Sequence, residues 1–113
     1  MTRERAPDPG DLVWLSFDPQ AGREQAGRRP ALVLSPSSYN RRSGLALVCP
    51  ITSHVKGYPF EVELPQGLPI TGMVLADHVK SLDWRKRRAE LAGRVPAEVL
   101  RDVLDRLAPL LGF

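Results

Sequence analysis

The sequence predicts a mainly β fold, a small barrel that carries one C-terminal helix, and three patterns support this prediction. Short apolar runs separated by proline and glycine recur along the chain, and none before residue 95 is as long as a typical helix. The run Phe60 to Leu64 alternates apolar and acidic residues, as a strand with one buried face does. After residue 95 the apolar residues recur with a helical period instead. Several short strands that close on themselves form a small barrel.

The apolar runs indicate seven candidate strands in a mainly antiparallel sheet. They are Leu12 to Phe17, Ala31 to Ser35, Leu45 to Thr52, Phe60 to Leu64, Met73 to Ala76, Val79 to Leu82 and Ala89 to Leu91. Residues 31–34 and 45–48 are apolar throughout. We therefore expect these two strands to be central and covered on both faces.

The last segment predicts a helix that packs on the barrel. Its apolar residues share one face at 3.6 residues per turn, and they are Val99, Leu100, Val103, Leu104 and Leu107. Pro96 and Glu98 are typical of a helix N-terminus, and Pro109 predicts the end of the helix.

Length and composition predict one globular domain over residues 1–113. The chain is 42% hydrophobic and 26% charged, which is ordinary globular usage, and 113 residues suffice for one core but not two. The N-terminus has charges but no apolar stretch typical of a secretory signal, and no apolar run approaches the roughly twenty residues of a membrane span. We therefore expect a cytoplasmic protein. The single cysteine, Cys49, lies in an apolar run and is expected to be a core residue.

The charged residues favour a phosphate-bearing partner. The net charge is +3, and thirteen of the sixteen basic residues are arginine. The planar guanidinium group of arginine matches pairs of phosphate oxygens, so a nucleic acid is one interpretation. A bias in genome composition explains the same count equally well.

The sequence contains no local motif for most types of catalysis. The two histidines, His54 and His78, are not spaced with a cysteine or an acid as metal ligands, and there is no phosphate-binding glycine loop. No metal and no cofactor are therefore expected. An acid, arginines and hydroxyl groups remain, and part of this set lies in Glu24 to Pro30, which we expect to be a loop presented by the following strand.

Such a set suits metal-free cleavage of RNA, in which the ribose 2′-hydroxyl attacks the neighbouring phosphorus. The protein then supplies a group that takes the 2′ proton and donors that stabilise the charge on the phosphorane. Glu24 is the candidate base, Arg29 the candidate charge clamp, and Thr52 offers a hydroxyl. Each also has a structural reading, because loop charges are often solvated and a strand-end threonine often bonds to the backbone.

An ordered set of motifs spans nearly the whole chain. It includes Pro9-Gly10-Asp11-Leu12-Val13-Trp14, Glu24-Gln25-Ala26-Gly27-Arg28-Arg29-Pro30, Pro50-Ile51-Thr52, Lys56-Gly57-Tyr58-Pro59-Phe60 and Ala76-Asp77-His78-Val79-Lys80-Ser81. With these motifs the chain resembles the MazF/PemK family of toxin–antitoxin endoribonucleases.

The resemblance implies an SH3-like barrel, a homodimer and a MazE-like antitoxin as partner. It also implies cleavage of single-stranded mRNA without ribosome or metal, at a short adenine-containing site such as ACA, which inhibits translation and growth. The products would be a 2′,3′-cyclic phosphate and a 5′-hydroxyl. The key arginine of the family falls on Arg29, its threonine on Thr52 and its acidic loop residue on Glu24. Arg28 departs from the pattern, because a close relative has histidine there.

The predicted RNA-binding residues are polar, basic or aromatic and lie near the motifs. They are Phe17, Gln25, Arg28, Asn40, Ser53, Lys56, His78, Lys80, Ser81, Arg85 and Arg87. Trp14 and Phe17 fall on opposite faces of a strand, so one is expected in the core and the other against a base. Residues 84–88 are interpreted either as a phosphate-binding patch with an aromatic platform or as the basic rim of a hairpin.

Two alternatives to the nuclease remain open at this point. A toxin on the same barrel could bind a protein such as DNA gyrase without cutting RNA, as the related CcdB family does. An inactive barrel that only titrates an antitoxin is the other. Neither alternative needs Glu24, Arg29 and Thr52 together.

Overall fold

The computed structural model describes residues 5–16 and 27–113, and in these ranges antiparallel strands form one sheet that carries two helices. The strands are β1 (Asp11–Ser16), β2 (Arg28–Val33), β3 (Leu45–Thr52), β4 (Glu61–Glu63), β5 (Met73–Leu75), β6 (Lys80–Asp83) and β7 (Glu90–Arg94). The helices are α1 (Ser37–Ser43) and α2 (Ala97–Leu107), and single 3-10 turns lie at Ala76–His78 and Ala108–Leu111. The predicted fold class is confirmed.

The long strand β3 organises the sheet. Along one edge it pairs with β2, and along the other its first half pairs with β6 and its last residues pair with β5. The complete path is β4-β5-β3-β2-β1-β7, with β6 attached to β3. The bounds of β3 are those predicted, whereas β2 begins at Arg28, three residues before the predicted start, because Arg28 to Pro30 pair with β1. The prediction that this segment is a loop is therefore wrong at its last three residues.

The sheet has a hydrophobic core on each face. The helix-side core contains Leu12, Leu32, Cys49, Ile51 and Val74, together with Val95, Val99 and Val103 from the chain around α2. The turn-side core contains Val13, Leu15, Ala31, Val33, Val48, Leu82 and Trp84. Neighbouring residues of β2 alternate between the two cores, which confirms the prediction that this strand is covered on both faces. In β3 the prediction is wrong at Leu47, which is 39% exposed.

Helix α2 confirms the predicted C-terminal helix. It follows Pro96 and buries Val99, Val103 and Leu107, of which Val99 and Val103 belong to the helix-side core. Leu104, predicted on the same apolar face, is 40% exposed. Helix α2 ends at Leu107, just before Pro109, as predicted, and Pro109 lies in the 3-10 turn that follows.

Helix α1 was not among the predicted elements, which included one helix at the C-terminus. Its sequence is polar, and Asn40 is its only buried residue. The helix ends at Gly44, whose left-handed φ of 76° lets its N–H reach the carbonyl of Asn40. Since a polar network holds this helix in place of an apolar stripe, hydrophobic periodicity carries no signal for it.

In the described part of the chain, neither helix has the length and apolar composition required to cross a bilayer.

Candidate functional site

A surface groove of about 460 Å³ lies where β1, β2 and β3 end together. Its walls are formed by Trp14, Arg28, Arg29, Pro30, Ile51, Thr52, Ser53, His54, Pro69, Ile70 and Thr71. We call it the Arg29 groove. Arg29 is exposed, Thr52 is partly buried, and both line this groove. The structure therefore brings together two of the three predicted catalytic residues.

The groove opens because the pairing of β2 with β3 stops just before it. The last pair in the register is Ala31 with Pro50, and two more residues along each strand lead to Arg29 and Thr52. Neither Pro30 nor Pro50 has an N–H that could continue the ladder. The two strands separate beyond this point, and the side chains at their ends border open space.

Thr52 has a hydroxyl whose acceptor side is already used. Its Oγ1 accepts the backbone N–H of His54 at 3.0 Å. A hydroxyl also has one proton to donate, and within residues 5–16 and 27–113 no hydrogen bond uses that of Thr52. Thr52 thus combines the predicted structural role with the capacity to donate a hydrogen bond.

A second groove, of about 520 Å³, shares Thr52 and His54 with the first. The remainder of its lining is Val55, Lys56, Tyr58, Glu61, Leu75 and His78. We call it the His78 groove. Of the predicted RNA-binding residues, Arg28 and Ser53 line the Arg29 groove, and Lys56 and His78 line this one.

Glu61 fixes the loop that forms one side of the His78 groove. Its carboxylate accepts the backbone N–H of Lys56 at 3.2 Å and of Gly57 at 3.0 Å. Gly57 has φ of +82°, a conformation that favours glycine. The carboxylate thereby holds the backbone that carries Lys56 and Tyr58.

Arg28 directs its guanidinium group toward protein oxygens. It donates to the carboxylate of Glu90 at 3.0 Å, to the carbonyl of Arg88 at 3.0 Å and to that of Arg87 at 3.3 Å. Longer contacts reach Ser16 Oγ at 3.4 Å and the carbonyl of Trp14 at 3.5 Å. The side chain crosses β1 and ties the start of β2 to β7 and the preceding turn. Although Arg28 lines the Arg29 groove, its donors hold the protein together.

The prediction that Asn40 binds RNA is wrong, because its side chain has no access to RNA. It is completely buried. Its Nδ2 donates to the carbonyl of Pro7 at 2.8 Å and of Ser35 at 3.0 Å, and its Oδ1 accepts the Ser35 hydroxyl at 2.6 Å. Asn40 is therefore a structural residue.

The turn between β6 and β7 has no exposed aromatic platform. Trp84 is only 4% exposed and donates its indole N–H to the carbonyl of Asn40 at 2.8 Å. Arg85 stacks on the ring of Trp84 at 4.4 Å, and Arg87 donates to the carbonyl of Ser16 at 3.0 Å. Of the two readings of residues 84–88, the basic rim of a hairpin agrees with this geometry.

The other predicted residues lie elsewhere. Lys80 and Ser81 are exposed on β6 opposite Val48 and Leu47, and neither belongs to the described lining of the two grooves. Phe17, Gln25 and Glu24 lie outside the described residues.

Sequence reasoning missed Tyr58 and His54 as groove-lining residues and left the role of Trp14 open. Trp14 is 38% exposed and lines the Arg29 groove, so of the two roles weighed for it the exposed one applies. Tyr58 is 55% exposed in the His78 groove, and His54 lies between the two. His54 and Tyr58 lie close to Thr52 and Lys56 in the sequence, and this proximity was the signal that could have identified them.

Cys49 is a core residue, as predicted. Burial, with a smaller contribution from the charge of Asp77, raises the pKa of its thiol to about 12. Its Sγ lies 3.7 Å from the carbonyl oxygen of Ala76. A thiol this hard to ionise is not a nucleophile at neutral pH.

The chain is similar to known proteins over almost its whole length. A family model described as PemK-like, MazF-like toxin of type II toxin-antitoxin system matches residues 8–111. The endoribonuclease toxin MazF of Escherichia coli K12 is 48% identical over 112 residues, which are 99% of this chain and 100% of that protein. The crystal structure of MazF from Deinococcus radiodurans has a TM-score of 0.88 at 60% identity, covering 97% of this chain and 100% of that one. A MazE-MazF crystal structure from the same organism has a TM-score of 0.88 at 59% identity, over 96% and 98% of the two chains.

Proposed function

Because this chain belongs to the family of PemK-like, MazF-like toxins of type II toxin–antitoxin systems, we propose that its Arg29 groove cleaves single-stranded mRNA at a short specific site. The chain is an endoribonuclease toxin. The finer proposal is that cleavage needs neither ribosome nor metal and leaves a 2′,3′-cyclic phosphate and a 5′-hydroxyl. The observation that carries it is the convergence of Arg29 and Thr52 on one groove.

The proposed reaction transfers a phosphoryl group within the RNA. The 2′-oxygen loses its proton and bonds to phosphorus, the bond from phosphorus to the 5′-oxygen breaks, and that oxygen gains a proton. Negative charge grows on the non-bridging oxygens in between. Arg29 offers several N–H donors, and Thr52 offers its hydroxyl proton, so both stabilise that charge. Glu24, which lies outside the described residues, is proposed as the base from its residue type and its place in the motif.

The two adjoining grooves support the binding of several nucleotides. Lys56 in the His78 groove is a cation for the phosphate backbone, and Ser53 and His78 offer hydrogen bonds to base edges. Trp14 and Tyr58 are exposed aromatic rings on which unpaired bases stack. The proposed contacts of Phe17, Gln25, Arg28, Lys80, Ser81, Arg85 and Arg87 with RNA stay predictions, and so does a recognition site such as ACA.

The proposed assembly is a cytoplasmic homodimer neutralised by a MazE-like antitoxin. A relative at 59% identity has been crystallised as a MazE-MazF pair, which supports this partner. The antitoxin of such a pair competes with RNA if its acidic tail enters the arginine-lined groove.

A cleavage assay in EDTA tests the proposal. Purified wild type, Arg29→Ala and Thr52→Val are incubated with a long natural mRNA, and cut ends are mapped by primer extension. Thr52→Val removes the hydroxyl at nearly constant volume, and Arg41→Ala removes an exposed arginine on α1 as a matched control. Discrete cuts by wild type and the control alone are expected.

Two results would contradict the proposal. Equal cutting by all four proteins would place the chemistry outside the Arg29 groove. Absence of cutting by wild type, together with capture of a protein such as DNA gyrase, would favour the protein-binding toxin.

A further inference from the structure

One proton in the proposed cleavage has no donor assigned to it, and it is the proton that the leaving 5′-oxygen gains. Arg29 and Thr52 are assigned to the charge on the phosphorane, and Glu24 to the 2′ proton. An alkoxide leaves poorly without a proton, and a positioned general acid accelerates such a step by about 10²–10⁴-fold. The acid has to border the Arg29 groove, where the phosphate reacts.

The described lining of the Arg29 groove contains one side chain suited to this role, the imidazole of His54. The other polar side chains of that lining are an indole, two guanidinium groups and three hydroxyls, from Trp14, Arg28, Arg29, Thr52, Ser53 and Thr71. Guanidinium groups hold their protons firmly, and indoles and aliphatic hydroxyls are hydrogen-bond donors rather than acids at neutral pH. Imidazole takes up and releases a proton in this range, as a general acid must.

The backbone places His54 at the border that the two grooves share. It follows the end of β3 by two residues and lines both the Arg29 groove and the His78 groove. Its backbone N–H donates to Thr52 Oγ1 at 3.0 Å, so the hydroxyl that faces the phosphorane also fixes the start of the loop that carries the imidazole. This link keeps His54 beside Thr52.

The imidazole of His54 is open to a ligand. The residue is exposed, and within residues 5–16 and 27–113 its side chain has no hydrogen bond and no ion pair. Arg28 lines the same groove but donates to Glu90 and to the carbonyls of Arg87 and Arg88. His54 is therefore free to approach a leaving oxygen.

The second histidine of the chain lies farther from the proposed chemistry. His78 lines the His78 groove with Lys56 but is not in the described lining of the Arg29 groove. Its Nε2 lies 3.8 Å from the carboxylate of Asp77. Of the two histidines, only His54 lines a groove together with both Arg29 and Thr52.

We propose that His54 is the general acid that protonates the 5′-oxygen of the leaving strand. This inference rests on the proposed function for the reaction itself. As the bond from phosphorus to the 5′-oxygen breaks, its electron pair goes to that oxygen, and the protonated imidazole gives it a proton. His54 is left neutral and regains a proton from water. The base has meanwhile taken the 2′ proton, so no further reactant is required.

Two RNA oligonucleotides test this role once the cut site is mapped. They are identical except that the second has sulfur in place of the 5′-bridging oxygen of the scissile phosphate. A thiolate is a much weaker base than an alkoxide and leaves without a proton, so only the oxygen substrate needs the acid. Single-turnover rates at saturating protein are measured, because they report the chemical step rather than binding.

Four variants of the full chain are compared with wild type. His54→Gln keeps a hydrogen-bonding side chain but has no proton to release at neutral pH. Arg29→Ala removes a group assigned to the phosphorane, and His78→Gln makes the same change at the other histidine. Arg41→Ala is the control, because Arg41 is exposed on α1 and lines neither groove in the described part of the chain. Urea unfolding establishes that each variant is folded.

We expect His54→Gln to cut the oxygen substrate at least about 100-fold more slowly than wild type, and the sulfur substrate within about threefold of wild type. Arg29→Ala should be slow on both substrates, because the phosphorane charge develops in both. Any effect of His78→Gln should be the same on the two substrates, and Arg41→Ala should match wild type.

Equal slowing of His54→Gln on the two substrates would overturn the inference, and so would a rate on the oxygen substrate within about twofold of wild type. Recovery of Arg29→Ala on the sulfur substrate would make Arg29 the acid instead, and recovery of His78→Gln would move the role to that histidine. If wild type cuts neither RNA, the proposed function fails and this inference falls with it. Each of the other contrary results overturns this inference alone, because wild type still cleaves RNA.

Discussion

Replacing Asn40 by alanine should lower the free energy of unfolding and leave RNA binding and cleavage by the folded protein unchanged. The side chain joins three parts of the chain, since it bonds to Pro7 before β1 and to Ser35 after β2 from its place on α1. Ser35 Oγ in turn accepts the backbone N–H of Leu47 on β3 at 2.9 Å. The truncation removes the centre of this buried network but keeps the backbone carbonyl that Trp84 uses.

The magnitude follows from the bonds that are lost. Three hydrogen bonds at about 1 kcal/mol each, plus the cost of leaving two buried carbonyl oxygens without partners, give about 3–5 kcal/mol. Asn40 is 0% exposed, so these bonds are shielded from bulk water. A domain of this size has a free energy of unfolding of roughly 5–15 kcal/mol, so the variant should be folded at low temperature and marginal near 37 °C.

Urea unfolding is the assay, with the midpoint and the slope measured for wild type, Asn40→Ala and Arg41→Ala. Arg41 lies next to Asn40 on α1 but is exposed, so its variant should stay within about 0.5 kcal/mol of wild type. RNA affinity is measured in parallel at low temperature on folded protein. A loss of stability below about 1 kcal/mol, or a folded Asn40→Ala that no longer binds RNA, would refute the structural role.

Three further predictions concern Arg28, Cys49 and Lys56. Arg28→Ala should lower the free energy of unfolding by about 1–2 kcal/mol, mainly through the lost bonds to backbone carbonyls, and should slow cleavage because the strand that carries Arg29 is released. Arg28→Lys should restore neither the stability nor the cleavage rate. Urea unfolding and cleavage assays measure the two effects. Cys49 should resist iodoacetamide at pH 8 unless urea is added, as mass spectrometry reports. Because its pKa is raised from 9.0 to about 12 on folding, stability should fall as pH rises above 9. RNA affinity should fall with salt, and Lys56→Ala should reduce the slope by about 0.7 if Lys56 contacts one phosphate; an unchanged slope would remove Lys56 from the interface.

Local patterns predicted those parts of the fold that apolar residues specify. Strand β3 has its predicted bounds because it is a continuous apolar run, and α2 buries Val99, Val103 and Leu107 of its predicted face because these residues recur with a helical period. Helix α1 was missed because a single buried asparagine, together with a glycine cap, holds it in place. The same asparagine was taken for a binding residue, since its burial depends on Pro7 and Trp84, which are remote in sequence.

The candidate site was predictable in its members but not in its shape. Arg29 and Thr52 were named from chemistry and resemblance, but their shared groove depends on the register of β2 with β3 and on where that pairing stops. Arg28 donates hydrogen bonds to Glu90 and to the turn carbonyls because β1 pairs with β7, and no local motif encodes that pairing.

The most direct test of the account uses one RNA in two forms. Once the cut site is mapped, a short RNA oligonucleotide containing it is compared with the same oligonucleotide carrying a single 2′-deoxy nucleotide on the 5′ side of the scissile phosphate. The account predicts that wild-type protein binds both equally, cuts only the all-ribose strand and leaves a 2′,3′-cyclic phosphate. Cleavage of the 2′-deoxy strand would contradict it, because the nucleophile would then come from water or from the protein.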